Sequence, residues 1–322
     1  MMNDFELQWN ALGAKNHSAG RLRVYPDHQL DFFIDYALNG NPELIIEAKG
    51  ITFDFPELPF FENLEVIFDQ ISNGARIGLT LTDEHLFKNF SVMCFDIAER
   101  SKNESSIINS FMIALDCLRD WSELFKLRGK AGLSRNEVIG LWGELHCLES
   151  ILLANVVSDE LIIQGWRGPN GDQRDIGFNK TRIEIKTQLA TKAISLRITS
   201  LDQLDDGGDN LKLILNRITP SDKGISVVGL AQKIFQRIEN NRIAHSEFER
   251  KLVLAGLNEE LEVCHEKFDI DERLIYEIAE SFPKLTLSNV PVGIKSAEYE
   301  ISGAAISSFE INWNQLVEIL SE

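Results

Sequence analysis

Apolar and polar residues alternate with a period of two through much of the first hundred positions. The alternation predicts strands at 21–26, 30–38, 43–49, 63–69, 76–82 and 89–97, with turn residues between them, and residues 1–30 read as strand-like. From 104 to 127 the period changes. Ile107, Phe111, Leu115, Leu118, Trp121 and Leu124 recur at helical spacing. A second helix is predicted over 135–153: Ser134 and Glu137 form a capping box, and Val138, Leu141, Trp142, Leu145, Leu148 and Leu152 make its apolar stripe. Strands follow at 161–166, 173–178, 181–189 and 194–199, then a small helix from Ser200 and a strand at 210–218. Helices over 227–238 and 245–256 and strands around 272–278 and 294–301 complete the pattern. The predicted class is α/β (α+β) in three zones: an N-terminal β-rich domain (1–126) ending in a helix, a core (127–222), and a C-terminal α/β subdomain (223–322).

Candidate chemistry concentrates between Trp166 and Gln188, where Asp175, Glu184 and Lys186 form the pattern D-x8-E-x-K. Residues two apart on a strand share a face. Arg182, Glu184, Lys186 and Gln188 therefore line one side of 181–189, while Ile183, Ile185 and Leu189 line the other. A turn at 179–181 folds this strand back on 173–178 and brings Asp175 opposite the Glu/Lys end. Mg2+ is a hard ion that takes carboxylate and water oxygens and needs only one or two carboxylates beside a substrate phosphate. Asp175 and Glu184 are such ligands, and Mn2+ is expected to substitute. Lys186 places fixed positive charge near the attacking water and the phosphoryl oxygens. Gln188, Arg182 and Arg174 are candidates for substrate-phosphate contact, and Arg128, Lys130, Arg135, Arg167, Lys180, Lys192 and Arg197 add basic charge nearby.

E-x-K occurs three times: Glu47–Lys49, Glu184–Lys186 and Glu249–Lys251. The third lies in a helix-like polar stretch and reads as a solvated face. The first is a competitor, because Asp35 precedes it on another predicted hairpin with a turn at Asn39-Gly40. The helix ahead of the second copy separates them. Glu144 sits on the flank of its apolar stripe, beside Gly143, where a carboxylate can reach an adjacent sheet and supply another metal ligand.

In this order the residues resemble the PD-(D/E)xK nucleases. G-L-W-G-E-L (140–145), W-R-G (166–168), D-I-G-F (175–178) and I-E-I-K-T (183–187) look like a bacterial family of PD-(D/E)xK motif proteins. The resemblance implies a restriction-endonuclease-like mixed-sheet core of order αβββαβ, with Asp175, Glu184 and Lys186 on the motif and Glu144 as the helix acid. It also implies Mg2+-dependent DNA cleavage by a component of a restriction or phage-defence system. Arg174 stands where the name-giving proline would be. Cutting both strands usually takes two such sites, so a homodimer is compatible with this reading. The alternative is a catalytically silent nuclease-fold subunit acting as a DNA-binding or assembly module.

Charge qualifies the picture. The formal charge of −18 has the wrong sign for gripping a polyanion alone. Yet 127–200 carries 10 Lys/Arg against 8 Asp/Glu, whereas 1–126 carries 10 against 20 and 201–322 carries 12 against 22. Partner subunits that supply DNA affinity are therefore expected. The four cysteines form no C-x-x-C pair, and no stretch approaches the ~20 apolar residues of a membrane span. A cytoplasmic protein that makes no membrane contact is expected. There is no nucleotide-binding P-loop, dinucleotide fingerprint or nucleophile elbow.

Overall fold

The period-two alternation between residues 22 and 81 folds as one antiparallel sheet. A computed structural model of the chain describes residues 4–13, 20–37, 39–55, 61, 63–127, 133–170, 174–205 and 207–321. Two units divide it, Met1–Ala131 and Gly132–Glu322. In the first, helix α1 (Asp4–Leu12) precedes β1 (Leu22–Val24), β2 (Asp31–Tyr36), β3 (Pro42–Lys49), β4 (Leu64–Ile71) and β5 (Gly74–Leu81), arranged β1-β2-β3-β5-β4. Phe32, Ile34, Leu44, Ile46, Ile77 and Leu79 are fully buried on one face. Helices α2 (Phe87–Arg100) and α3 (Ile107–Leu127) pack on one another, and α3 packs on β3.

Two expectations fail in this unit. Residues 89–97 form part of α2 rather than a strand, because Phe90, Met93, Cys94 and Ile97 recur at helical spacing and are all buried. Residues 4–12 are helical, with Phe5 and Trp9 as buried anchors.

The second unit begins with α4 (Arg135–Ala154), whose predicted capping box is present in both directions. Next comes α5 (Asp159–Gly165) where a strand was expected at 161–166. Ser158 caps it, its side chain accepting from Leu161 N, and Asp159 and Glu160 complement the helix dipole. The apolar run Leu161–Ile163 looks like a buried strand only when these cap residues are ignored. Then follow β6 (Ile176–Phe178), β7 (Thr181–Leu189), β8 (Ser195–Ile198) and β9 (Asn210–Ser226). No helix separates β8 from β9 among the described residues: the stretch after Ser200 is a series of turns. The order αβββαβ is thus replaced by α4-α5-β6-β7-β8-β9. The unit continues with α6 (Val227–Arg237), α7 (Arg242–Ala255), β10 (Lys267–Glu277), β11 (Tyr299–Ser302), α8 (Gly303–Ile306), β12 (Glu310–Ile311) and α9 (Trp313–Ser321).

The main sheet has the order β12-β10-β9-β7-β6, with β7 and β9 parallel and the other pairs antiparallel; β8 and β11 form a separate ribbon. The mixed-sheet α+β class is therefore the one expected. Position 222 lies inside β9, which carries the sheet on into β10. Helix α4 covers one face through Trp142, Leu145, Leu148 and Ile151, in one core with Ile183, Ile185 and Ile214. On the other face Leu211, Leu213 and Leu215 pack with Leu196 and Ile198 of β8.

Helix α4 approaches the sheet at Gly143. A Cβ there would lie 1.8 Å from Thr187 Oγ1 and 3.2 Å from Asn216 Nδ2. Gly143→Ala is expected to destabilise the fold by about 1–3 kcal/mol through overpacking, measured by urea denaturation. Gly140→Ala, one turn earlier, is the control: its Cβ meets nothing within 4 Å, so it should be neutral or stabilising by up to ~1 kcal/mol.

Candidate active site

The close approach at Gly143 sets the height of the next residue, Glu144. Its carboxylate points toward the β6–β7 hairpin, and Oε2 accepts a 2.8 Å bond from the indole Nε1 of Trp166. Asp175 immediately precedes β6, whose Ile176 pairs with Ile183 of β7, so Asp175 stands across from Glu184. Its Oδ2 accepts from Ile185 N at 2.6 Å. Its carbonyl accepts from Arg167 N at 2.7 Å and Gly168 N at 3.2 Å. Glu184 is buried and Lys186 half-buried, with Nζ 2.8 Å from Glu184 Oε1. The W-R-G segment thus touches both Glu144 and Asp175: the indole holds one, the following amides the other.

Electrostatics join the three acids. Burial pushes Glu144 up to about 7 against the Trp166 bond, and Glu184 pushes it further while Lys186 opposes. Asp175 is raised well above the ordinary carboxylate range by burial and then by Glu144 and Glu184. Glu184 is raised by burial, with Lys186 and Arg174 pulling it back. Burial therefore pushes all three carboxylates toward the neutral form, and like-charged neighbours add to it at Glu144 and Asp175.

The donor set fits a hard divalent cation. Glu144, Asp175 and Glu184 each engage one oxygen with a protein donor and keep one without a donor among the described residues. The space between two of them is held open by a glycine: a Cβ on Gly168 would fall 2.7 Å from Glu144 Oε2 and 3.4 Å from Asp175 Oδ1. Among the described residues no three His, Cys, Asp or Glu side chains are already drawn to one ligating point.

The phosphate-contact candidates fare differently. Arg174 is buried, donating to the carbonyls of Asp202 and Asp205. Arg182 is half-buried, 3.2 Å from Asp209 and bonded to the Asn179 and Thr181 carbonyls. Gln188 donates to Ala193 O at 3.4 Å. Of the other basic residues, Arg135 pairs with Glu266 and Arg197 with Glu298, Lys180 and Lys192 are exposed, and Arg128 and Lys130 lie outside the described residues.

The two other E-x-K copies are occupied. In the first unit Glu47 pairs in register with Asp31, while Asp35 faces Glu43. Arg21 and Arg76 each reach Glu47 at 2.8 Å, and Lys49 reaches Asp31 at 2.5 Å. These are cross-strand ion pairs on a sheet face. The third copy is not a solvated face: Glu249 and Lys251 are both buried. Sequence periodicity missed this because Lys251 is buried by its hydrogen bonds, not by its hydropathy.

A mixed sheet that brings an Asp and an E-x-K together beside a helix glutamate has the layout of the PD-(D/E)xK nuclease-like class. Residues 5–303 match the family model described as "Putative PD-(D/E)XK family member, (DUF4420)", and the chain belongs to this family. No curated protein and no solved structure matches it. Among the described residues no helix is long and apolar enough to cross a membrane.

Proposed function

We propose that the protein is a Mg2+-dependent DNA endonuclease that works within a restriction or phage-defence system. The observation that carries this reading is the burial of Glu144, Asp175 and Glu184 as interacting neighbours, with the bare Cα of Gly168 between the first two and Lys186 as the cation 2.8 Å from Glu184. Asp175 and Glu184 hold the metal, and Glu144 completes the set or holds a second ion. When bound, the metal lowers the pKa of the attacking water and neutralises phosphoryl oxygens.

The chain's own residues do the rest. Lys186 stabilises charge on the phosphoryl group as it grows and helps orient the water. Trp166 fixes the rotamer of Glu144, and the Arg167 and Gly168 amides fix the backbone of Asp175. Lys180 and Lys192 are exposed; Gln188 and Arg182 would have to exchange carbonyl partners to meet phosphates. With a formal charge of −18, the protein is expected to draw affinity and sequence recognition from partner subunits.

Supercoiled plasmid incubated with the protein and Mg2+ or Mn2+ is expected to be nicked or linearised, and EDTA should stop the reaction. Lys49→Ala should leave the rate unchanged, because that lysine serves the ion-pair network of the first unit. Loss of cleavage in Lys49→Ala would move the site to the first unit. Metal-independent cleavage would remove the basis of the assignment.

A further inference from the structure

Lys251 has no place in the mechanism above, yet it is among the most deeply buried side chains in the protein. Removing an ammonium from water is costly unless its donors are well satisfied. Its Nζ, carried by α7, donates to Ile163 O at 2.9 Å, Gln164 O at 2.8 Å and Trp166 O. Glu247, one turn earlier, lies 3.4 Å away. Gln164 O and Trp166 O are carbonyls that the end of α5 leaves without local donors, while Ile163 O also accepts the Trp166 amide at 3.2 Å. A helix can end more simply, on water or on a glycine in the left-handed region. Here the cap comes from more than eighty residues downstream.

The location of that cap matters. Trp166 O faces Lys251, while Trp166 Nε1 faces Glu144. The next two amides, Arg167 N and Gly168 N, bond Asp175 O. On the same helix Phe248 packs against the Trp166 ring at 5.7 Å. One short segment is therefore gripped by α7 on one side and grips two of the three acids on the other.

We propose that Lys251 is a positioning residue of the carboxylate site: by fixing the backbone of the W-R-G segment, it sets where Glu144 and Asp175 stand. Its effect on cleavage rests on the nuclease reading; its effect on Trp166 does not. Groups that orient ligating side chains from outside the site are typically worth 10–100-fold in affinity or activity.

The test uses the full-length protein labelled with 15N-tryptophan. Its five tryptophans give five indole N–H signals, and Trp166→Phe identifies the one that matters. In Lys251→Met, checked for a cooperative melt, the Trp166 indole signal is expected to shift in the same sense as in Glu144→Gln, while the other four stay in place. Cleavage should fall about 10–100-fold in kcat with KM unchanged. A folded Lys251→Met protein whose Trp166 signal keeps its wild-type position would overturn the proposal. If Lys251→Met does not fold, the measurement is made from the other end of the same chain of contacts, Glu144–Trp166–Lys251. The Lys251 ammonium signal in 15N-lysine-labelled protein should then move in Glu144→Gln, and a fixed signal there would equally overturn the proposal. Absence of cleavage in wild type would count against the nuclease reading alone, because the indole and ammonium shifts do not depend on it.

Discussion

Lys186→Met is expected to bind Mn2+ about as well as wild type and to cleave DNA about 10²–10³-fold more slowly, whereas Asp175→Asn should lose both. The dissociation follows from where the two groups sit. Asp175 keeps one carboxylate oxygen without a donor among the described residues, facing the space above Gly168, and asparagine there removes one of the three carboxylates that would attract an ion. Lys186 carries positive charge and cannot ligate a cation. Its removal frees Glu184 from an ion pair and if anything strengthens metal binding. What it takes away is fixed charge where the phosphoryl group becomes more negative. Calorimetry with Mn2+ and a plasmid assay on the same preparations read the two quantities separately. A Lys186→Met protein that cleaves at the wild-type rate would remove the lysine from the chemistry. An Asp175→Asn protein with undiminished Mn2+ binding would remove Asp175 from the ligand set.

The second large effect concerns stability against pH in the presence of EDTA. Burial, with Glu184 as a like-charged neighbour, holds Glu144 at about 7 against an ordinary value of 4.5. An acid whose pKa is higher in the folded chain binds more protons there than in the unfolded chain. Its contribution to stability is therefore full below 4.5 and is lost as pH rises through about 7. Asp31, Glu47 and Glu247 act in the opposite sense, because their ion pairs hold them below the ordinary range. Comparing wild type with Glu144→Gln cancels those groups. The two proteins should be similarly stable at pH 4.5, and the glutamine variant should be the more stable at pH 8 by on the order of 2 kcal/mol. Urea denaturation at the two pH values gives this difference directly. A pH-independent difference would mean that burial and its neighbours do not hold Glu144 above the ordinary carboxylate range. Mn2+ should reverse the ranking at pH 8, since an ion that binds deprotonated carboxylates stabilises the protein most where they are charged.

Much of the site was legible in the sequence because its parts are local. A strand displays alternate residues on one face, so Glu184 and Lys186 could be placed together without coordinates. The turn at Asn179 places Asp175 across from them, and the capping box of α4 fixes the helix that carries Glu144. What escaped was whatever depended on partners distant in sequence. Residues 161–166 pass for a strand until Ser158 is seen to cap a helix, and 89–97 pass for one until the burial of Phe90, Met93 and Ile97 shows the helical period. Arg174 looks like a phosphate ligand by its neighbours in sequence, but two carbonyls beyond position 200 take its guanidinium. Lys251 looks solvated by the composition around it, and only its contacts with α5 show that it is buried. Hydropathy cannot report a charge that is satisfied by carbonyls.

The bond from Ile185 N to Asp175 Oδ2 has a consequence for how the protein behaves as a material. Strand β6 is only three residues long, so among the described residues β7 beyond Ile183 has no strand neighbour on that side. An open strand edge is a template for pairing with another chain. The Asp175 carboxylate occupies the first amide of that edge and plugs it. Alanine at 175 would remove charge and plug together, so the resulting protein is expected to associate through its sheets. Asparagine keeps an acceptor for the Ile185 amide, which makes it the substitution that separates loss of chemistry from loss of solubility.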